Sequence, residues 1–429
     1  MKRLIIYIWA ALLCCAAYAQ TPNVTGRVVS SGGLPVEGVV VSNGLNCTQT
    51  DAEGRYALTS DLSQRRFVFI SVPAEYEIPA RHGCPQFFKR IDRFQKEVKA
   101  DFVLEPRLTP AEHHTLLVQG DPQIKNYGVD GSAEAYRSVV IPDMIRMRST
   151  IGTPCYGINL GDLVYNDMNV YNAYIDNTER VNTTTFNVIG NHDHDLNKYT
   201  DREATENYRR HFGPTYYAFD MGHTHYIVLD DIIYHGAKKY EEQIDSMQLR
   251  WAAAYARRLP TGSRVCVAMH APAMKSWLGN RVMESAVPLM EAFAGHDLHF
   301  ITGHTHLNSN FDIREGVIEH NVAQICGNLW WDPINWDGTP KGYQLFRECG
   351  GEFSWEYRNL GEFPARQIRL WGPGEVAKHP ACAVAKVWNW DPHWTVVWYE
   401  DGRYRGAMQR TQLDDPDYTA HLDSLKAAG

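Results

Sequence analysis

Five apolar runs in this chain end, one after another, in short clusters of residues able to ligate a metal. This recurrence constrains the fold more than any other feature. Leu116-Leu117-Val118 leads to Gly120-Asp121-Pro122-Gln123, Tyr156 to Leu160 leads to Gly161-Asp162, and Phe186 to Ile189 leads to Gly190-Asn191-His192-Asp193. Val265 to Met269 then leads to His270, and Leu298 to Ile301 leads to Gly303-His304-Thr305-His306. Short runs that are apolar throughout read as buried strands. Between them, Ala133 to Arg148, Glu241 to Arg258 and Val282 to Ala294 have helical spacing. Such alternation predicts a mainly parallel, layered α/β domain. Parallel strands finish at one edge of their sheet, where such folds place a ligand crevice. The five clusters are therefore expected to converge on one site.

The converging residues define a chemistry. Asp121, Asp162, His270, His304, His306, Gln123 and Asn191 form a mixed oxygen and nitrogen donor set, which suits Zn, Mn or Fe better than thiophilic metals. The chain has no glycine-rich nucleotide loop and no G-x-S-x-G nucleophile turn. Two cations roughly 3.5 to 4 Å apart would clamp a phosphate and turn water into hydroxide at neutral pH, with a bridging carboxylate to hold their spacing.

With these residues in this order, the chain resembles the calcineurin-like metallophosphoesterases, whose pattern is D-x-H, G-D-x-x-D, G-N-H-D/E, a later H, and G-H-x-H. The resemblance spans the central domain and implies a layered αββα sandwich, two divalent metal ions (Mn, Zn or Fe) and a phosphate-ester substrate. Carried over position by position, it gives one metal Asp121, Gln123, Asp162 and His306. The second receives Asp162, Asn191, His270 and His304, with Asp162 bridging. His192 becomes the histidine that stabilises or protonates the leaving oxygen, and Asp193 the residue that orients it. The implied activity is hydrolysis of a phosphomonoester or phosphodiester by metal-bound hydroxide.

Two positions depart from the pattern. Gln123 stands where the family usually has His; its amide either ligates a metal or bonds to a ligand from behind. Tyr165 stands where the second carboxylate of G-D-x-x-D is expected. The spelling G-D-x-x-Y is similar to the purple acid phosphatases, in which that tyrosine binds ferric iron, whereas an ordinary reading makes Tyr165 a packed side chain. A purple-acid-phosphatase-like enzyme and a catalytically degenerate glycan- or metal-binding protein are thus the competing readings. Gly222-His223-Thr224-His225 also spells G-H-x-H, but it opens an apolar run and precedes His270, so Gly222 reads as a turn and His223 and His225 as strand residues. Trp330, Trp331 and Trp336 follow the last motif and would stack on a sugar or nucleobase if exposed, or fill a core or domain interface if buried.

Small β domains are expected on both sides. A length of 429 residues implies two or three domains. Residues 20–108 alternate over Val24 to Val29, Val36 to Ser42 and Arg55 to Leu58, and run apolar over Phe67 to Val72. They resemble the carboxypeptidase-regulatory-like β-sandwich. Residues 109–355 form the expected catalytic domain, closed by a strand over Phe353 to Arg358. A Trp-rich tail, 356–429, reads as a second β domain, with strand-like pieces at Arg366 to Trp371, Ala383 to Trp388 and Trp394 to Tyr399.

Residues 1–19 read as a signal peptide: Lys2 and Arg3, the apolar run Leu4 to Ala17, and the small-x-small site Ala17-Tyr18-Ala19. Export to the periplasm or the extracellular space is expected. Leu13 precedes Cys14 where a lipoprotein needs a small residue, so plain cleavage is expected in place of lipidation. Cleavage leaves an odd number of cysteines, so at least one thiol stays free, and Cys155 and Cys266 read as buried core. No later stretch is apolar enough to span a membrane. A net charge of -8 argues against binding a nucleic-acid scaffold.

Overall fold

The computed structural model describes residues 21–110, 112–125, 132–275, 281–327, 330, 334–362 and 366–428. The expected signal peptide and Trp331 lie outside them.

Two facing sheets form the central domain. The first runs, in spatial order, Thr184–Asn187, Cys155–Asn159, His113–Gln119, Gly342–Cys349, Glu352–Asn359. Its first three strands are parallel, and the last two are antiparallel additions. The division expected at residue 355 falls inside Glu352–Asn359, which pairs with Gly342–Cys349 along its whole length, so the sheet continues to Asn359. The second sheet runs Tyr217–Met221, Thr224–Val228, Arg264–Ala268, Asp297–Thr302, Val317–Asn321, Ser309–Arg314. Its four inner strands are parallel.

The apolar runs are buried on both faces, as doubly covered strands must be. Leu116 and Val118 join the core between the sheets with Val228, Val267 and Phe300. Leu117 faces the other way, into a second core with Tyr136, Met144, Tyr171 and Tyr174. Those residues come from a helical stretch, Ser132–Ala135, Tyr136–Val140 (a π turn) and Ile141–Ser149, and from the helix Tyr171–Glu179. The outer face of the second sheet is covered by Ser246–Ala256 and Ala286–Ala292, which bury Trp251 and Leu289. The result is the layered αββα arrangement.

The helix expected from Glu241 begins only at Ser246. Asp245 caps it, accepting from Met247 N at 2.6 Å and Gln248 N at 3.0 Å. Glu241 and Glu242 belong instead to Lys239–Glu242, which pairs in a hairpin with Ile232–Gly236.

The N-terminal segment folds into two small sheets. One holds Phe102–Leu104, Val24–Ser30 and Arg55–Leu58, with Val98–Lys99 beside Val24–Ser30; the other holds Cys47–Gln49, Val40–Ser42, Phe67–Ile70 and Phe88–Arg90. Their core is continuous with the second central sheet. The tail contains two hairpins, Ile368–Trp371 with Val384–Val387 and Val397–Glu400 with Arg403–Ala407. It also contains a helix that the strand-like pattern did not suggest, Pro416–Ala428. Asp415 accepts from Tyr418 N at 2.9 Å, and proline at the first helical position completes a start signal. The seven described cysteines are free thiols, with Cys155 and Cys266 buried. No described helix is long and apolar enough to cross a membrane.

Candidate metal centre

Each expected ligand lies on the turn that leaves a parallel strand, and those turns are conformationally costly. Asp121, Gln123, Asp162, His304 and His306 all have positive φ, between 45° and 66°. Non-glycine residues pay for that conformation, and such strain persists where the surroundings enforce it. The motif glycines are needed for close approach. A Cβ on Gly190 would stand 2.3 Å from Oδ1 of Asp162, and one on Gly303 would stand 2.7 Å from Oδ2 of Asp121.

These turns bring all seven expected ligands together around Asp162, which is almost fully buried. Its Oδ2 accepts from Gln123 Nε2 at 3.1 Å, and Gln123 Nε2 lies 3.4 Å from His306 Nε2. His306 Nε2 lies 3.4 Å from Asp121 Oδ1. On the other side, Asp162 Oδ1 lies 3.4 Å from His270 Nε2 and accepts from the backbone N–H of His192 at 2.8 Å. His270 Nε2 is 3.0 Å from both Asn191 Oδ1 and His304 Nδ1. The two oxygens of Asp162 therefore face two separate groups of donors.

The hydrogen bonds behind these histidines fix which nitrogen is left over. His270 Nδ1 donates to the Leu160 carbonyl at 2.7 Å, so its Nε2 is the nitrogen left to face the cluster. His304 Nε2 donates to Glu242 Oε1 at 3.2 Å, so its Nδ1 carries the lone pair. Asn191 Oδ1 and His304 Nδ1 each lie 3.0 Å from His270 Nε2, beside the Asp162 carboxylate, so that nitrogen must hold a proton or face a cation, and the same acceptors suit either. Asp121 Oδ1 is buried and, among the described residues, accepts no hydrogen bond, with His306 Nε2 3.4 Å away. Asp162, His270 and His304 can each offer a ligand atom within 4.8 Å of the others. The residues present fit divalent cations.

The electrostatics agree. Burial opposes charge on Asp162, but His270 and His192 outweigh it and hold the carboxyl below the usual range. Burial also opposes charge on His270, and Asp162 outweighs it, pushing the imidazole up to about 10. The hydrogen bond from His304 lowers Glu242 to about 2, against a smaller effect of burial.

His192 stands at the edge of the cluster, its Nε2 3.9 Å from Asp162 Oδ2. Burial lowers its pKa, with Asp162 opposing. Asp193, expected to orient it, does a different job. Its Oδ2 accepts from Gly190 N at 2.9 Å and Leu163 N at 3.2 Å, and its Oδ1 accepts from Tyr171 at 3.0 Å. Side chains of adjacent residues on this short turn diverge, so Asp193 ties two ligand loops together from beneath, and Asn166 faces the His192 ring instead. Tyr165 stacks on His192, with ring centroids 4.2 Å apart, and Lys125 Nζ lies 4.4 Å from the centre of the tyrosine ring.

The tryptophans divide. Trp330 donates from its indole to the Pro122 carbonyl at 3.0 Å and packs on Tyr136, a structural role behind the first metal loop. Trp336 is 52% exposed and stands edge-on to His306 at 6.1 Å. Opposite the metal edge, His223 bonds to Glu348 and His225 to Asp220; His225 lies in the strand Thr224–Val228 as expected, whereas His223 belongs to the turn before it.

A family model for calcineurin-like phosphoesterases matches residues 114–308, and models for the N-terminal and C-terminal domains of such enzymes match 22–107 and 319–428. The chain belongs to the calcineurin-like phosphoesterase family. Calcineurin-like phosphoesterases are normally metal-dependent hydrolases of phosphoesters with a binuclear centre, which agrees with the donor set around Asp162. Among solved structures, the chain is similar to a dimetal phosphatase from Danio rerio, at 14% identity over 56% of this chain and 96% of that one, with a TM-score of 0.37. It is similar to a purple acid phosphatase from yellow lupin seeds at 11% identity, over 75% of this chain and 67% of that one, with a TM-score of 0.41. A 5'-nucleotidase from Candida albicans aligns at 12% identity over 60% of this chain, with a TM-score of 0.38, and the match spans 54% of the nucleotidase's length. No curated protein matches the chain.

Several residues of this phosphoesterase site escape a strand-end reading. Asn166 and Glu242 come from a loop and a hairpin with no fixed spacing to the motifs. Asp231 accepts from His270 N at 3.0 Å and Ala271 N at 2.8 Å, and burial pushes it up to about 6. A signal for Asp231 was present: Val228-Leu229 is another apolar run that ends in acids, Asp230-Asp231.

Proposed function

We propose that this chain is an exported binuclear-metal phosphoesterase that hydrolyses a phosphomonoester or phosphodiester. The observation that carries the reading is that Asn191 Oδ1 and His304 Nδ1 each stand 3.0 Å from His270 Nε2, which itself lies 3.4 Å from the buried carboxylate of Asp162. Asp121, Gln123, Asp162 and His306 would hold one cation, and Asp162, Asn191, His270 and His304 the other. Bound there, two divalent cations supply Lewis-acid activation of water and a clamp on phosphate oxygens. For Gln123 to ligate, its amide must turn so that oxygen replaces nitrogen toward Asp162; the two amide ends have similar size, so the turn costs little space.

The protein's own part is to hold and to move a proton. Glu242 fixes the tautomer of His304, the Leu160 carbonyl fixes that of His270, and Asp193 and Asp231 hold the loops. His192 Nε2 faces the site and, in the imidazolium form with Nδ1–H held by Asn166, would give its proton to the departing alkoxide or aryloxide oxygen and return to the neutral ring. Trp336 would contact the leaving group. Export rests on the basic start, apolar run and small-x-small site of residues 1–19. The test is metal analysis of the purified protein together with phosphate release from an aryl phosphate. Turnover that is abolished by chelator and restored by Mn or Zn supports the reading. Stoichiometric metal with no turnover on any phosphoester would favour a degenerate binding protein.

A further inference from the structure

The strand Val317–Asn321 is buried along its whole length, yet it ends in three polar residues, Glu319, His320 and Asn321. It pairs in parallel with Asp297–Thr302, and Asn321 stands opposite Thr302. Residues two apart on a strand share a face, so Glu319 and Asn321 project to the same side.

Both reach loops that carry metal-ligand histidines. Glu319 Oε1 accepts from Ala273 N and from the Thr302 hydroxyl, each at 2.8 Å, and its Oε2 accepts from Met274 N at 2.7 Å. One carboxylate therefore joins the segment just after His270 to the residue two before His304. Asn321 continues the join. Its Nδ2 donates to the Gly303 carbonyl at 2.7 Å and to the Thr302 hydroxyl at 3.0 Å, and its Oδ1 accepts from the Thr305 hydroxyl. These bonds hold the loops and leave the histidine rings free to face the centre.

We propose that Glu319 and Asn321 form a clasp that fixes the spacing of the His270 and His304 loops and thereby sets the affinity of the cation position those histidines share. The clasp rests on the two-cation reading above. Its logic is geometric. His270 Nε2 and His304 Nδ1 come from separate strands and must stay 3.0 Å apart to serve one cation. Groups behind a metal ligand typically change affinity by about 10- to 100-fold when removed.

Isosteric substitutions test the clasp with little change in packing. Glu319→Gln turns one acceptor into an NH₂ facing backbone N–H groups. Asn321→Asp sets an oxygen against the Gly303 carbonyl. Chelator-treated full-length protein would be titrated calorimetrically with Mn²⁺, and its melting temperature recorded in chelator. The wild type is expected to bind in two events. Each variant should weaken one event by about 10- to 100-fold and leave the other within about twofold. A merely structural role would weaken both events in step with the melting temperature, and that result would overturn the clasp, as would wild-type affinities for both. If Glu319→Gln does not fold, Asn321→Asp and Thr302→Val carry the same comparison. A wild type that binds no Mn²⁺ while its variants behave identically removes the two-cation reading itself, a failure distinct from loss of selectivity between the events.

Discussion

The Nδ1 atom of His192 lies 3.0 Å from the side-chain oxygen of Asn166. The backbone of Asn166 donates in return to the His192 carbonyl at 3.2 Å, and Asn166 holds a φ of 59° to make both contacts. An amide oxygen only accepts, so Nδ1 carries the proton and Nε2 is the nitrogen turned toward Asp162. Stacking of Tyr165 on the ring holds its plane.

This pairing makes Asn166 a positioning residue for proton transfer. His192→Ala is expected to keep both metals while kcat falls by about 10²- to 10⁴-fold. Asn166→Ala should lower kcat by about 10- to 100-fold, again with metal content unchanged. Metal analysis beside steady-state kinetics checks both. Loss of metal in His192→Ala would make His192 a ligand.

Asp193 should matter to stability more than to chemistry. It is completely buried, and burial, followed by the nearby Asp162, pushes its carboxyl up to about 7. Asp193→Ala strands the N–H groups of Gly190 and Leu163, each costing about 1 to 3 kcal/mol. Denaturant unfolding in chelator should show that loss. A variant of normal stability whose kcat alone collapses would return Asp193 to a direct role beside His192.

The strands and the gathering of the candidate ligands at one sheet edge were legible because both follow from local rules. Leu116-Leu117-Val118 is apolar on consecutive positions, a pattern that a doubly covered strand needs, and Asp121 follows it at the sheet edge. His304 and His306 are legible for the same reason. The supporting groups were not, because their partners are distant in sequence: Glu242 lies 62 residues from His304, and Glu319 lies 46 residues from Ala273. Glu319-His320-Asn321 did depart from apolar strand patterning, but nothing local says that a buried acid answers two loops of another motif. Asp193 shows the opposite limit. Adjacency to His192 in sequence suggested contact, and the turn sends the two side chains apart.

Tyr165 decides between colourless and purple chemistry. A tyrosinate on ferric iron gives a visible charge-transfer band. The ring of Tyr165 is instead stacked on His192 and lies under Lys125, a packing role. Protein reconstituted with iron is expected to show no such band, and Tyr165→Phe to lose activity only modestly. A purple wild type that bleaches in Tyr165→Phe would assign the tyrosine to the metal.

An acid-sensitive contact lies away from the centre. Asp297 is lowered to about 2, first by its hydrogen bond from His299 and then, against burial, by Arg264. A depressed carboxylate contributes stability that is present above its unfolded pKa of about 4 and is lost as pH falls through about 2. Asp297→Asn should therefore flatten the fall in unfolding free energy between about pH 4 and pH 2. An unchanged slope would show that the contact does not persist in solution.

The bridging role of Asp162 is the centre of the account, because its two oxygens face Gln123 at 3.1 Å and His270 at 3.4 Å. Metal stoichiometry of purified wild type and Asp162→Asn, measured beside phosphate release, tests it most directly. The expected result is two metals per wild-type chain, with metal and activity lost together in Asp162→Asn. An Asp162→Asn protein that retains both metals and near-normal turnover would contradict it.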